Sequence, residues 1–225
     1  MARVGPRLLG VSCLAALLPA LAVTGAARTG GGQLADAVLA VVDAEIVTAS
    51  DIALARVLAL HGFTPSASPI EAADVGRYVR VVLVLGEARR LAIDVPAAEV
   101  DDAWQSLETR AGGPAALDAW LRAVAVSSAW ARRAVEAHVR WRRFIQLRFV
   151  ELAFVAPDEV ADEVGSAPVD AEARARAYER LRQAKAERAL SEWLDARVKH
   201  ASVRTLLGAD ERVPLPFAGF ATGPR

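Results

Sequence analysis

Apolar positions along the chain first form short β-branched runs and then fall into long three- and four-residue steps. Ala37-Val-Leu-Ala-Val-Val42 is apolar and β-branched, Asp43-Ala44 reads as a turn, and Glu45-Ile46-Val47 resumes, so a small β-hairpin is predicted. Thr48-x-x-Asp51 has the form of a capping box with Asp in the Glu position, Ser50 being the alternative cap. Leu54, Val57, Leu58 and His61 then step at helical spacing up to Gly62. After the loop from Thr64 to Ser68, Ser68-Pro69-Ile70-Glu71 predicts a helix start with Ser as cap and Pro in the first turn. That helix runs to Leu91. Val79 and the run from Val81 to Leu85 make its second half apolar nearly all round, which implies burial between other elements, although Gly76 and Gly86 weaken it.

Ala92-Ile93-Asp94-Val95 is expected to cross in extended form, and Pro96 fits the first turn of a helix to Arg110 with Val100, Ala103, Trp104 and Leu107 on one face. Ala111-Gly112-Gly113-Pro114 is a break, followed by a short helix to Val124. Ser127 or Ser128 caps a long helix to about Val150, where Trp130, Ala134, Ala137, Trp141 and Phe144 share a face. Pro157 to Gly165 is a brief helix. From Asp170 to His200 runs a second long one, with the pairs Glu179 with Gln183 and Arg188 with Glu192 expected on its solvated face. Ser202 to Leu206 is a candidate strand for pairing with the Val38 hairpin, and 207–225, rich in Gly and Pro, is expected to be a mobile tail. The fold class is therefore mainly α: a multi-helix module over 35–206, with two long helices, a small hairpin and an optional C-terminal strand.

Composition adds an address. Arg3 and Arg7 precede an apolar run from Leu8 to Leu18, then Pro19 and small-residue cleavage sites after Ala22 or after Ala26/Ala27, so 1–27 reads as a secretory signal and 28–34 as a flexible leader. A periplasmic location follows as the expectation, with an uncleaved inner-membrane anchor as the alternative; the run is short for a stable span. The single cysteine, Cys13, lies in that signal, so the mature chain offers no disulfide or thiol chemistry. Losing Arg3 and Arg7 from 27 basic and 27 acidic residues leaves a net charge of −2, with no global pull on nucleic acid. Lys185 and Lys199 are the only lysines, so the arginine excess reads as coding bias.

Candidate chemistry is sparse. His61, His138 and His200 fall on three elements: His61 reads as a helix-end residue, and His138 as an exposed or partly buried side chain. No metal-ligand spacing, phosphate-cradling loop or nucleophile elbow is present, so no catalytic residue, cofactor or metal is expected. The Arg132 to Arg148 run, with Trp141 and Phe144, reads as a solvated basic face rather than a nucleic-acid surface. Trp104, Trp120 and Trp130 are expected to pack in the core. Trp141 and Trp193, among charges on the long helices, suit a groove; Trp120, Trp141, Phe144 and Trp193 are the candidate peptide-binding residues.

The stretch Glu87-Ala-Arg-Arg-Leu-Ala-Ile-Asp-Val-Pro-Ala-Ala-Glu-Val100 places helix, crossover, Pro and acidic first turn in an order that resembles the N-terminal domain of SurA-type periplasmic chaperones and foldases, a trigger-factor-like peptide-binding module. A hairpin running into Ser50-Asp51-Ile52 is the second point of similarity, and Pro157-x-Glu159-Val160 and the returning C-terminal helix extend it. Foldases of that family carry one or two parvulin-type isomerase domains between the positions of Val160 and Asp170. Such a domain needs on the order of 100 residues; here about ten join the elements. The resemblance thus implies an ATP-independent holder of unfolded or extended polypeptides, outer-membrane clients among them, without isomerase activity. The alternatives are a structural or assembly protein of the envelope that reuses the fold, with a homodimer through the long helices, or a foldase relative in sequence only.

Overall fold

The computed structural model describes residues 36–165 and 170–216. The expected signal and leader, and the tail from 217 onward, lie outside the described residues. Strands β1 (Val38–Val42) and β2 (Glu45–Thr48) form the expected hairpin, and β3 (Val203–Thr205) joins the far side of β1, giving an antiparallel sheet in the order β2-β1-β3. The hairpin turn lacks glycine because Asp43 takes the left-handed conformation itself, at φ 53°. Its amide donates to Ser202 O at 2.8 Å and its carboxylate accepts from the Ser202 amide at 2.9 Å, which anchors the turn to the end of the last helix.

Helix α1 (Ala49–Val57) starts on the capping box. The Thr48 hydroxyl accepts from the Asp51 amide at 3.2 Å, and the Asp51 carboxylate accepts from the Thr48 amide at 3.1 Å. Thr48→Ala is expected to cost about 1 kcal/mol, read as a lower urea midpoint with an unchanged slope.

The remaining helices are α2 (Ala72–Arg90), α3 (Ala97–Arg110), α4 (Pro114–Ala123), α5 (Ser128–Ile145), α6 (Pro157–Val164) and α7 (Ala171–His200). The fold is mainly helical, as expected. Helix α2 is its strut. Val75, Val79, Val81, Val82 and Leu83 join the main apolar cluster with Leu39, Ile52, Leu54, Leu117 and Leu121, while Val84 and Ala88 join a smaller one with Phe144, Phe149, Ala186 and Leu194. Gly76 and Gly86 do not interrupt it.

The end of α1 departs from expectation, whereas α2 and α4 stop within a residue of the expected Leu91 and Val124, and one kind of closure ends all three. Helix α1 ends at Val57 rather than near His61, because Ala59 turns left-handed (φ 54°) and the Leu60 amide reaches back to Ala55 O at 2.8 Å. Ala92 (φ 50°), with the Ile93 amide on Ala88 O, closes α2 the same way, so Ala92 is not extended. Ala125 (φ 56°), with the Val126 amide on Leu121 O, closes α4. Each is a Schellman ending with alanine where glycine is usual, and the apolar residue that follows packs inward to compensate: Leu60 and Val126 are buried and Ile93 lies against the smaller cluster.

Helix α2 begins at Ala72 and not at Pro69. Ile70 is extended, exchanging amide–carbonyl bonds with Val213 at 2.8 and 3.0 Å, and the Asp74 carboxylate accepts from the Glu71 amide at 3.1 Å. The same pairing corrects the tail. From Leu207, which is buried, through Val213 and Leu215, which pack on the main cluster, residues 207–216 belong to the fold. Pro96 precedes the first helical residue of α3 instead of occupying it. On α7 neither expected pair forms; Glu179 meets Arg182 at 3.3 Å and Gln183 donates to Glu187 at 3.0 Å.

Candidate functional site

Helix α5, capped by the Ser127 hydroxyl on the Trp130 amide, does not stop at Ile145 but widens into a π-turn over Gln146–Val150, where the Glu151 amide reaches Gln146 O at 2.9 Å. The extra residue per turn rotates the chain so that Phe149 faces the smaller cluster while Leu147 is exposed. The segment after it leaves Leu152 73% and Phe154 74% exposed, with Val155 buried between them and α6.

No residue of α6 is fully buried. Polar links fasten it to α7. The Lys185 ammonium donates to Phe154 O at 2.9 Å and to the Glu159 carboxylate at 2.6 Å, and Arg180 pairs with Glu163 at 3.1 Å. Lys185, helped by the Ala156 amide at 2.8 Å, holds the Glu159 carboxyl below its ordinary value. The half-buried Val160 and Val164 of α6 face α7 across a cleft of about 630 Å³. Val155, Pro157, Ala161, Gly165, Ala175 and Tyr178 complete its mainly apolar lining, to which Arg174 adds a cationic side chain. This volume lies within the range of small-ligand and peptide side-chain pockets.

A second cleft, about 520 Å³ between α3 and α5, is polar and of mixed sign: Glu99 and Asp102 face Arg142 and Arg143, and an Arg143–Glu99 ion pair spans it. With its charges internally compensated, it offers less to a ligand than the apolar groove.

The four expected aromatic residues do not line the apolar groove. Phe144 is 1% exposed, its ring 5.4 Å from Trp193 and 5.9 Å from Phe149, so it is a core residue and, contrary to expectation, presents no surface to a peptide. Trp193 is half-buried in the same cluster. Trp141 is half-buried between the two clusters, stacked on His138, and Trp120 packs from α4 against the main one. Trp104 and Trp130 pack on the main cluster as expected. The groove residues Val160, Val164 and Tyr178 were not singled out by sequence; the available signal was the two valines one turn apart on a helix too short to bury either.

His138 is partly buried, as expected, while His61 is buried in the turn after α1. They meet across 77 residues, the His61 amide donating to His138 Nδ1 at 3.0 Å. Among the described residues, no three of His, Cys, Asp and Glu are placed to hold a metal ion, and no helix is long and apolar enough to cross a membrane. Compared with known proteins, the chain matches no family model and no curated relative.

Proposed function

We propose that the mature chain is an ATP-independent, non-enzymatic holder of extended or unfolded polypeptide, exported to the periplasm and similar in role to the chaperone module of SurA-type proteins. The observation that supports it is the continuity of exposed apolar surface with the α6–α7 groove: Leu152 and Phe154 stand in solvent directly before Val155, which lines it. Exposed apolar surface beside a cleft of this kind is where apolar partners dock. Client side chains enter between Val160 and Tyr178, and the ion pairs of Glu159 and Glu163 with α7 keep the rim hydrated.

The test is suppression of light scattering from an aggregating denatured protein by the mature chain. Val160→Asp places a charge in the apolar lining and is expected to weaken client affinity tenfold or more, on the order of 1–3 kcal/mol, while circular dichroism is unchanged. Full-strength suppression by that variant removes the groove from the mechanism. No suppression and no peptide binding by the unaltered protein, even in excess, removes the function.

A further inference from the structure

The turn that follows α1 is held in a costly shape by one unusual contact. Within four residues Ala59, His61 and Gly62 all adopt left-handed backbone, at φ 54°, 53° and 75°. Two of the three carry side chains that disfavour it. At the apex, the His61 amide donates to Nδ1 of His138 on α5 at 3.0 Å, which requires that nitrogen to be unprotonated. The two imidazoles meet edge to face at 5.2 Å, with Tyr78 of α2 and Trp141 of α5 edge-on to His61 at 6.4 and 5.6 Å. His61 is 5% exposed, and its Nδ1 is buried without a hydrogen-bond partner.

The charged groups that act on His138 are cationic. Arg110, at the end of α3, donates to Leu58 O at 3.2 Å and acts on His138; Arg142, one turn along α5, also acts on His138; Arg77 of α2 lies 5.3 Å over the Phe63 ring. The carboxylates of Asp51 and Glu45 act on the Tyr78 hydroxyl, which burial keeps protonated. No carboxylate is among the groups acting on either imidazole.

We propose that the His61–His138 junction is an acid-released latch: proton uptake at His138 turns the acceptor of the His61 amide into a donor, and the strained 58–63 turn swings off α5. Release bares Leu60 and Phe63, each 4% exposed in the closed form, and so gives the protein a second apolar surface available only in acid. This stands apart from the α6–α7 groove and does not depend on it.

Burial, with His138 beside Arg142 and Arg110, lowers the His138 imidazole from 6.5 to about 4; burial, with His138 beside it, lowers His61 to about 3. The closed turn therefore binds fewer protons than the open one between these values and 6.5. Closure is complete above pH 6.5 and is lost as pH falls toward 4, the opening constant rising about tenfold per pH unit and ~300-fold in all for His138 alone.

Hydrogen exchange read by mass spectrometry on the mature chain, corrected for intrinsic exchange at each pH, tests this. Amides of 58–63 are expected to lose protection by about 80-fold or more between pH 6.5 and 4, while those of α2 keep theirs. In His138→Asn, Oδ1 stands where Nδ1 stood and accepts without titrating, so the share of the loss carried by His138 disappears and only that of buried His61 remains; in His61→Asn/His138→Asn no imidazole is left in the junction and the loss is expected to vanish. His61→Asn, whose residue tolerates left-handed backbone, keeps the amide contact and the acid response of His138. An acid response in His61→Asn/His138→Asn equal to that of His61→Asn, or simultaneous loss of protection in 58–63 and α2, overturns the latch.

Discussion

Phe144→Ala is expected to lower the unfolding free energy by about 3–5 kcal/mol, the range for a large aromatic removed from a packed interior. The ring is 1% exposed and is held between Phe149 and Trp193, where α5, the π-turn and α7 converge. The cluster around it is small, with Val84, Ala88, Ala186 and Leu194 as its other buried members, so few neighbours can move in to fill the void. Cavity formation then adds to the lost transfer energy. Because α7 buries only Ala177, Ala186 and Leu194 along its length, the loss should loosen the middle of that helix first. Guanidinium denaturation gives the magnitude, and the near-ultraviolet signal of Trp193 should flatten before the far-ultraviolet one. Phe154→Ala, at an exposed position, is the control and should stay within about 0.5 kcal/mol. A cost below 1 kcal/mol for Phe144→Ala would refute its core placement.

The second large effect is expected at Asp74. Arg56 is 4% exposed in the main cluster; its Nη1 donates to Pro69 O at 3.4 Å and lies 3.6 Å from the Asp74 carboxylate. That carboxylate also accepts from the Glu71 amide at the start of α2. Asp74→Ala therefore removes a helix cap and leaves a buried guanidinium without its carboxylate partner. Loss of one partner from a buried pair costs about 3 kcal/mol or more, and the cap about 1 kcal/mol. Arg56→Leu in the same chain removes the stranded charge, so the double variant should regain most of the first sum and none of the second. Urea denaturation of the two single variants and the double one closes the cycle. Equal midpoints for Asp74→Ala and the double variant would show that Arg56 is not held by Asp74.

How much of this was legible in the sequence differs from element to element. The hairpin, the Thr48–Asp51 box and the α3 stop at Gly112-Gly113 followed the chain text closely, because each is decided by neighbours a few residues apart. Ala59, Ala92 and Ala125 were illegible: their left-handed shape is imposed by Leu60, Ile93 and Val126 seeking the interior, and alanine itself signals helix. Pro69 looked like a helix start because the competing partner of Ile70 lies at Val213. The candidate groove was hidden for the same reason. Val160 and Tyr178 sit on helices whose spacing in the chain says nothing about their approach, which depends on Lys185 reaching both Phe154 O and Glu159. Trp141, Phe144 and Trp193 did converge, but on the core, since an apolar seam between two long helices is closed whenever a third element, here the π-turn with Phe149, can fill it.

The three-stranded sheet carries a consequence for the order of assembly. Its central strand, β1, stands near the start of the described chain, and the partner on one side, β3, pairs Val42 with Val203 and Ala40 with Thr205. A chain delivered amino end first can form the hairpin at once, yet roughly 160 residues must follow before the other edge of β1 is covered. Throughout that interval β1 presents an unpaired edge, the kind of surface on which foreign strands nucleate. Completion of the fold thus waits on the last helix delivering its carboxyl end to Asp43, and a message truncated ahead of Ser202 yields a product whose helices are all present and whose sheet stays permanently open on that side.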